Sequence, residues 1–454
     1  MSQPTSPSRL HHFVRFLFLS LVRLFYPKME VTGRQNLPAD GPIIFVLNHP
    51  NGLVDPLVLM AGLNRTVSFW AKSTLFGNPV GKLLMDAFNA QPIFRQMDEG
   101  KRGGPQGDAK AHNEETFAQC RKMLQHGGAM ALFPEGTTHS ESHLLPMRTG
   151  AARIALSTEA EANGSAGVQI VPVGLWYQSK THFRTSVLLV VGQPFTVTEY
   201  GNSYATTQNK TVHEVTHKIE HSLDKVVLQA ENADLLAAVP VLAAWVAPHG
   251  QAQSLPEQRA WSGKLLAAYE QLKETDPDRL EQINRDARQY ADTLHSLGVD
   301  NPWNLELPEA NHRRLLRLVA LLLLTLPFAL VGLIMSYIPY RITGPIATTA
   351  TKSFDTQTST VKLIGGAILV LLAWILEALV VGGWFGWQWG ALLFLAAPPL
   401  AYIALRWGEG WRELRTVASA RWLRLQRGQL VESLAVQRQA LAQEVLDAVE
   451  TVTV

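Results

Sequence analysis

The stretch FVLNHPNGLVDP runs from Phe45 to Pro56. The apolar run Ile43 to Leu47 stops at Asn48-His49, and Asp55 follows six residues after the histidine with Asn51-Gly52 between them. The run has the length and composition of a buried strand. A histidine and a carboxylate just beyond a strand fit two arrangements. One is a loop whose polar side chains serve turns and helix caps. The other is a general base with the acid that orients it. The rest of the chain has to separate them.

Outward from this stretch, short apolar runs alternate with helical patterns over residues 40–200. VSFWA (67–71), AMALFP (129–134), VQIVPVGLWY (168–177) and SVLLVVGQPF (186–195) read as strands bounded by Gly, Pro or Asn. EETFAQCRKMLQHG (114–127) and TGAARIALSTEAEANG (149–164) read as helices that stop at glycine. Such alternation predicts an α/β domain with helices covering its sheet. Pro172 falls inside a strand-like run, where proline is disfavoured, so it marks an edge, a bulge or a special site.

At 454 residues the chain is long enough for more than one unit. Its apolar fraction of 47% and mean hydropathy of +0.03 are high for a purely soluble enzyme. They predict a soluble part joined to a membrane part. The formal net charge of +2 argues against a nucleic-acid partner, and a single cysteine, Cys120, excludes an intrachain disulfide framework. The N-terminal run Phe13 to Tyr26 is too short to span a bilayer, is interrupted by Arg15 and Arg23, and lacks a cleavage site. It predicts a helix lying in the membrane interface over residues 1–30.

Polar helices are expected over 231–311, with no catalytic constellation among them. Then the composition shifts. Leu315 to Tyr340, Val361 to Gly383 and Trp387 to Leu405 are apolar stretches of membrane-spanning length. Pro327 is expected to kink the first or break it into a re-entrant hairpin. Arg313, Arg314 and Arg317 precede these stretches, and Arg406, Arg412, Arg415, Arg421, Arg424 and Arg427 follow them. Both flanks are therefore expected in the cytoplasm, which requires an even number of crossings and an incomplete first span. The membrane segments occupy 312–406 and an amphipathic helix 407–454. There Leu423, Leu430, Leu434 and Leu441 recur at roughly heptad spacing, a possible homodimer contact.

Three further blocks follow His49 and Asp55 in order: Ile93-Phe94-Arg95, Phe133-Pro134-Glu135-Gly136-Thr137 and Val171-Pro172-Val173. The ordered series resembles the four sequence blocks of the glycerolipid acyltransferase family. HPNGLVDP resembles the branch that includes fungal glycerol-3-phosphate and dihydroxyacetone-phosphate acyltransferases, which also carry hydrophobic segments after the catalytic domain. The resemblance implies an α/β acyltransferase domain over 31–230, a central mixed sheet covered by helices. A helical insertion and a C-terminal membrane helical region follow it. It implies transfer of a fatty acyl group from acyl-CoA or acyl carrier protein, as co-substrate with no cofactor, to the hydroxyl of a glycerol phosphate. Membrane lipid is the remaining partner, and the catalytic domain is expected to face the cytoplasm. The family usually has four residues between the histidine and the aspartate, whereas five stand here, and the Asn51-Gly52 pair is where a turn can absorb the extra one.

The chemistry asks for these residue types. Imidazole titrates near neutrality, which suits a general base for an attacking alcohol. Asp55 would accept from the Nδ1–H of His49 and leave Nε2 free for the alcohol proton. Backbone N–H groups near Gly136 are expected to hold the oxyanion. No Gly-x-Ser-x-Gly block is present and Cys120 lies in a helical run, so a covalent acyl-enzyme is not expected. Arg95 is the first choice for the acceptor phosphate, followed by Lys72 and Arg148. Asn48, Glu135, Gly136, Thr137 and Pro172 complete the expected substrate contacts. His139 and His143 flank Glu141 but have no third ligand, so no metal is expected. Two other readings remain: a lysophosphatidate acyltransferase, and a catalytically silent lipid-binding or scaffold protein.

Overall fold

The computed structural model describes residues 9–63, 65–94, 104, 109–247, 254–299, 302–303, 312–352 and 355–452. The chain divides into two compact units, Met1–Ala233 with Ser353–Leu363, and Asp234–Lys352 with Ile364–Val454.

The first unit contains helices α1 (Arg9–Phe25), α2 (Val54–Leu63), α3 (Pro79–Ala87), α4 (Ala109–Gln125), α5 (Gly150–Glu161), α6 (Gly201–Thr206) and α7 (Gln208–Asp224). Its strands are β1 (Lys28–Thr32), β2 (Ile43–Leu47), β3 (Ser68–Lys72), β4 (Ala90–Ile93), β5 (Ala129–Leu132), β6 (Gln169–Tyr177), β7 (Ser186–Val191) and β8 (Phe195–Thr196). They form one sheet in the order β1-β7-β6-β2-β5-β3-β4, with β8 beside β6. β2 runs parallel to β5 and β6, and β3 runs parallel to β4 and β5. β7 and β8 are antiparallel to β6, so the sheet is mixed as expected.

Every residue of β2 is buried because helices cover both faces of the sheet. Ile43, Phe45 and Leu47 face a core with residues of α1, α2 and α3, whereas Ile44 and Val46 face residues of α4, α5 and α7. Each such side chain contributes roughly 1.5–3 kcal/mol of burial. β1 and β4 went unforeseen in the sequence. Both are short, and most of their residues are only half-buried, which weakens the apolar pattern.

Pro172 is neither on an edge nor exposed. It stands opposite Val46 in the middle of the sheet, and its carbonyl accepts from Gly192 N at 2.8 Å. A strand residue presents N–H and C=O to the same side. The donor that proline lacks would therefore face the Gly192–Pro194 interruption between β7 and β8, where no ladder partner stands. The proline sits at a break in its neighbour.

Residues 9–30 do not form a unit apart. α1 packs on α2 and α3, with Val14, Val22 and Phe25 buried. Residues 355–363 also belong to the first unit, although the sequence groups them with the membrane segments.

The second unit is helical, with α8 (Ala233–Val246), α9 (Leu255–Thr275), α10 (Pro277–Ser296), α11 (His312–Ala350), α12 (Asp355–Phe385, from residue 364 onward), α13 (Trp387–Gln426) and α14 (Gly428–Val452). α9 opens on a capping box between Ser254 and Glu257. Among the described residues, three helices are long and apolar enough to cross a membrane: Leu315–Ala350, Asp355–Phe385 and Trp387–Gln426. α11 runs through Pro327, Pro339 and Pro345 without a break, so the expected hairpin does not form. The incomplete first span, which the arginines on both flanks required, is therefore not what α11 shows. Small residues set the packing distance. Gly332 lies against the backbone at Leu400, and Gly390 against the backbone at Ala378 and Gly382. In α14, Leu434 and Leu441 are buried, and the helix packs on α9 and α10. Two of the four leucines of the expected stripe are thus buried within the chain, while Leu423 and Leu430 are half-buried.

Gly174 in β6 lets the backbone at Val226, just past α7, approach where a Cβ would otherwise stand. Gly174→Ala should destabilise the first unit by about 1–3 kcal/mol, as overpacking does. Thermal melts would read this as a lowered Tm, and an unchanged Tm would show that the Val226 segment can move away.

Candidate active site

β2 ends at Leu47, and the next two residues are fixed by neighbouring strands. The Asn48 amide donates to Leu175 O at 3.1 Å and accepts from Leu175 N at 2.8 Å. It therefore extends the β2–β6 ladder with a side chain. Asn48 was expected to touch substrate; it is a clamp that sets where His49 leaves the sheet.

His49 Nδ1 lies 2.8 Å from Asp55 Oδ2. A carboxylate only accepts, so Nδ1 carries the hydrogen and Nε2 is left as the basic nitrogen. The extra residue between them is absorbed by a turn. Gly52 adopts φ +54, and Val54 N and Asp55 N donate to Asn51 O and Gly52 O at 3.1 and 3.2 Å. That turn opens α2 and places Asp55 in its first turn, where the helix dipole favours negative charge.

The block after β5 grips His49 from both sides. Glu135 Oε1 accepts from His49 N at 3.2 Å, and His139 N donates to His49 O at 3.3 Å. The Phe133 ring stacks on the imidazole with centroids 3.9 Å apart and planes at 19°. Glu135 Oε2 accepts from Leu145 N at 2.8 Å and also pairs with His139 Nε2. Glu135 was expected at the acceptor phosphate. Its carboxylate is buried and engaged by His49 N, Leu145 N and His139, and its charge would repel a phosphate, so what it holds is the His49 backbone.

Asp55 has no exposed surface, and its charge is met by three donors. Asn51 N donates to Oδ2 at 2.8 Å, His49 donates to the same oxygen, and the Tyr177 hydroxyl donates to Oδ1 at 2.6 Å. Behind them, Asn51 Nδ2 donates to the Tyr26 hydroxyl at 3.0 Å, which donates to Lys180 O at 3.0 Å. Burial, and then the charge of Asp55, push the Tyr177 phenol well above its ordinary value, so it remains a donor. Burial raises Tyr26 likewise. The sequence did not single out either tyrosine. Tyr177 closes the quoted strand VQIVPVGLWY, and a phenol ending a buried strand was the available signal.

Lys180 was also missed. Its Nζ donates to Ser140 Oγ at 3.3 Å, and burial lowers its pKa against the pull of Asp55 and Asp355. Gly136 adopts φ +70, and its N–H donates to Phe133 O at 2.9 Å, so it is not available to an oxyanion. The Arg148 side chain lies against Gly136 where a Cβ would be, and Arg148 N donates to Pro134 O at 2.7 Å. Thr137 is exposed on the same loop, and Lys72 is exposed at the end of β3. Pro172 is buried within the sheet, with its role there. Arg95 lies outside the described residues. His139, once weighed as a metal ligand, is held by Glu135.

Residues 28–176 match the Acyltransferase family. The chain is 29% identical over 226 residues to glycerol-3-phosphate O-acyltransferase 2 of Saccharomyces cerevisiae, covering 50% of this chain and 30% of that protein. It is 27% identical over 168 residues to a chloroplastic 1-acyl-sn-glycerol-3-phosphate acyltransferase of Brassica napus, covering 37% of this chain and 42% of that one. Both alignments thus cover less than half of the relative's length. Among solved structures, the 1-acyl-sn-glycerophosphate acyltransferase PlsC of Thermotoga maritima shares 20% identity at a TM-score of 0.32, covering 46% of this chain and 81% of that one. At that score the likeness adds nothing to the fold described above.

Tyr177→Phe removes one donor from a buried carboxylate at almost no cost in shape. It should lower kcat about 5- to 30-fold, the equivalent of about 1–2 kcal/mol, with substrate KM values unchanged. Wild-type kcat in this variant would show that Asp55 is held adequately without it. Because both phenols keep their protons in the folded state, unfolding releases them once the pH exceeds the ordinary phenol value of 10.0. Their contribution to stability is therefore complete below about pH 10 and declines above it. Melts taken across this range should show Tm falling on the alkaline side, less steeply in Tyr177→Phe; equal slopes would contradict the assignment.

Proposed function

We propose that the chain is a membrane-bound O-acyltransferase that transfers a fatty acyl group from acyl-CoA or acyl carrier protein to the hydroxyl of glycerol-3-phosphate or dihydroxyacetone phosphate. The observation that carries this reading is the His49–Asp55 pair at 2.8 Å, oriented so that Nε2 is the basic nitrogen. Nε2 takes the proton from the acceptor hydroxyl as its oxygen attacks the thioester carbonyl. The tetrahedral adduct collapses, the carbon–sulfur bond breaks, and the leaving thiolate recovers the proton from the imidazolium. Asp55 stabilises that imidazolium in between. With the Gly136 N–H engaged, the oxyanion falls to amides further along the loop, at Thr137 and Thr138. Arg148 and Lys180, cations on or beside that loop, suit the acceptor phosphate, along with Arg95.

The named relatives include both glycerol-3-phosphate and 1-acylglycerol-3-phosphate acyltransferases, so a monoacylated acceptor is the second reading. The branch resemblance of HPNGLVDP favours the unacylated acceptor. Attachment to a bilayer is supported by the three long apolar helices and by α1, whose Leu10, Phe13, Phe16 and Leu17 are exposed. Phenylalanine and leucine exposed on one helix suit the acyl boundary of an interface. The cytoplasmic orientation rests on the arginines that precede the first apolar helix and on donors that are made in the cytosol.

Transfer of radiolabelled acyl groups from acyl-CoA to a panel of acceptors tests the reading. Glycerol-3-phosphate or dihydroxyacetone phosphate should be labelled, and labelling of lysophosphatidate alone would select the second reading. In the same assay His49→Ala should lose about 10²–10⁴-fold in rate while the protein remains folded and membrane-bound. Retention of more than about a tenth of the activity would remove His49 as the base, and absence of transfer to every acceptor would favour a silent lipid-binding protein.

A further inference from the structure

The family match ends at residue 176, yet the turn between His49 and Asp55 is completed by residues far beyond it. The first turns of α12, residues 355–363, belong to the first unit. Thr358 and Ser359 are buried there, and Leu363 joins the core that also holds Phe45, Leu57 and Tyr177. Ser359 Oγ donates to Lys180 O at 2.5 Å, the carbonyl that also accepts from Tyr26 and, at 3.4 Å, from Asn51 Nδ2. Lys362 Nζ donates to the next carbonyl, Thr181 O, at 2.9 Å. Thr356 O stands 2.8 Å from where a Cβ at Gly52 would be. The segment therefore meets the catalytic turn at two points. One is backbone contact at Gly52. The other is the Lys180 carbonyl, to which Asn51 is tied.

We propose that residues 356–362 are positioning residues for the His49–Asp55 pair, with Ser359 the principal one. This rests on His49 acting as the general base. Asn51 N is one of the donors to Asp55 Oδ2, and the Asn51 side chain is fixed by Tyr26 and Lys180 O. Ser359 holds that carbonyl in place, and Thr356 keeps the Gly52 turn closed. Releasing them lets Asn51 move and turns the carboxylate away from Nδ1. The contacts are made to the Lys180 and Thr181 carbonyls and to the Gly52 turn, and none of them is to the side chain of His49 or Asp55.

The test measures kcat and both KM values for the full chain in detergent or vesicles, for His49→Ala, Ser359→Ala, Ser359→Thr and Lys362→Met. Ser359→Ala should lower kcat about tenfold with both KM values within about twofold, because rate falls steeply when reacting groups are misplaced. Ser359→Thr keeps the hydroxyl and should recover most of the loss. Lys362→Met, on a part-exposed side chain that folding tolerates, should show a smaller loss of the same kind. In an Asp55→Asn background Ser359→Ala should cost little more, because both act through one carboxylate. Unchanged kcat in Ser359→Ala and Lys362→Met, a loss that threonine does not restore, or losses that multiply with Asp55→Asn would each overturn the proposal. An active His49→Ala would instead overturn the general-base reading itself, so the two failures are told apart.

Discussion

A carboxylate with no access to water has to be satisfied by the protein, and the first unit is arranged around that requirement at Asp55. An uncompensated buried charge costs several kcal/mol, more than any single contact nearby returns. The donors come from very different parts of the chain: a backbone amide three residues into the connecting turn, the imidazole itself, and a phenol at the end of β6. Each donor is held by its own element. β2 and β6 are locked together by the Asn48 amide, which fixes the distance between His49 and the strand that carries Tyr177. The block after β5 holds the histidine backbone through Glu135 and its ring through Phe133. Orientation of the base thus follows from satisfying the acid.

Glu135 shows how a residue type can be placed correctly in sequence and misjudged in role. A glutamate after a strand, beside a glycine, suits the edge of a ligand site. The structure turns it inward, where backbone N–H groups of His49 and Leu145 share its two oxygens. The neighbouring arginine is the group left facing outward, lying across Gly136. The two charges here are divided: the negative one secures His49 and the positive one remains near solvent.

The apolar core strands were legible because burial on both faces writes an unbroken hydrophobic run, as in Ile43 to Leu47. The pairing of His49 with Asp55 was legible because Asn51-Gly52 supplies a turn that admits the extra residue, and Gly52 takes a positive φ there. β1 and β4 were hidden by half-burial. Tyr177, Tyr26 and Ser359 were hidden for another reason. Their partners in the network lie up to 179 residues away, as between Ser359 and Lys180, and tertiary proximity leaves no mark in local sequence. The uninterrupted course of α11 through Pro327 was missed because proline removes one hydrogen bond without forbidding a helix whose neighbours pack tightly around it.

The first unit is discontinuous in sequence, and this dictates an order of events during synthesis. Domains as a rule fold as their last residue leaves the ribosome, at about 5–20 residues per second. Here the sheet is finished by Thr196, but the place that Leu363 fills in its core stays open while α8, α9, α10 and the first long apolar helix are made. During that interval the nascent sheet exposes an apolar slot and a catalytic turn without its backing. The first of the long apolar helices is made before the core of the first unit is complete. Completion of the site around His49 and synthesis of the apolar helices become steps of one process, and a chain stalled between them would carry a half-built first unit.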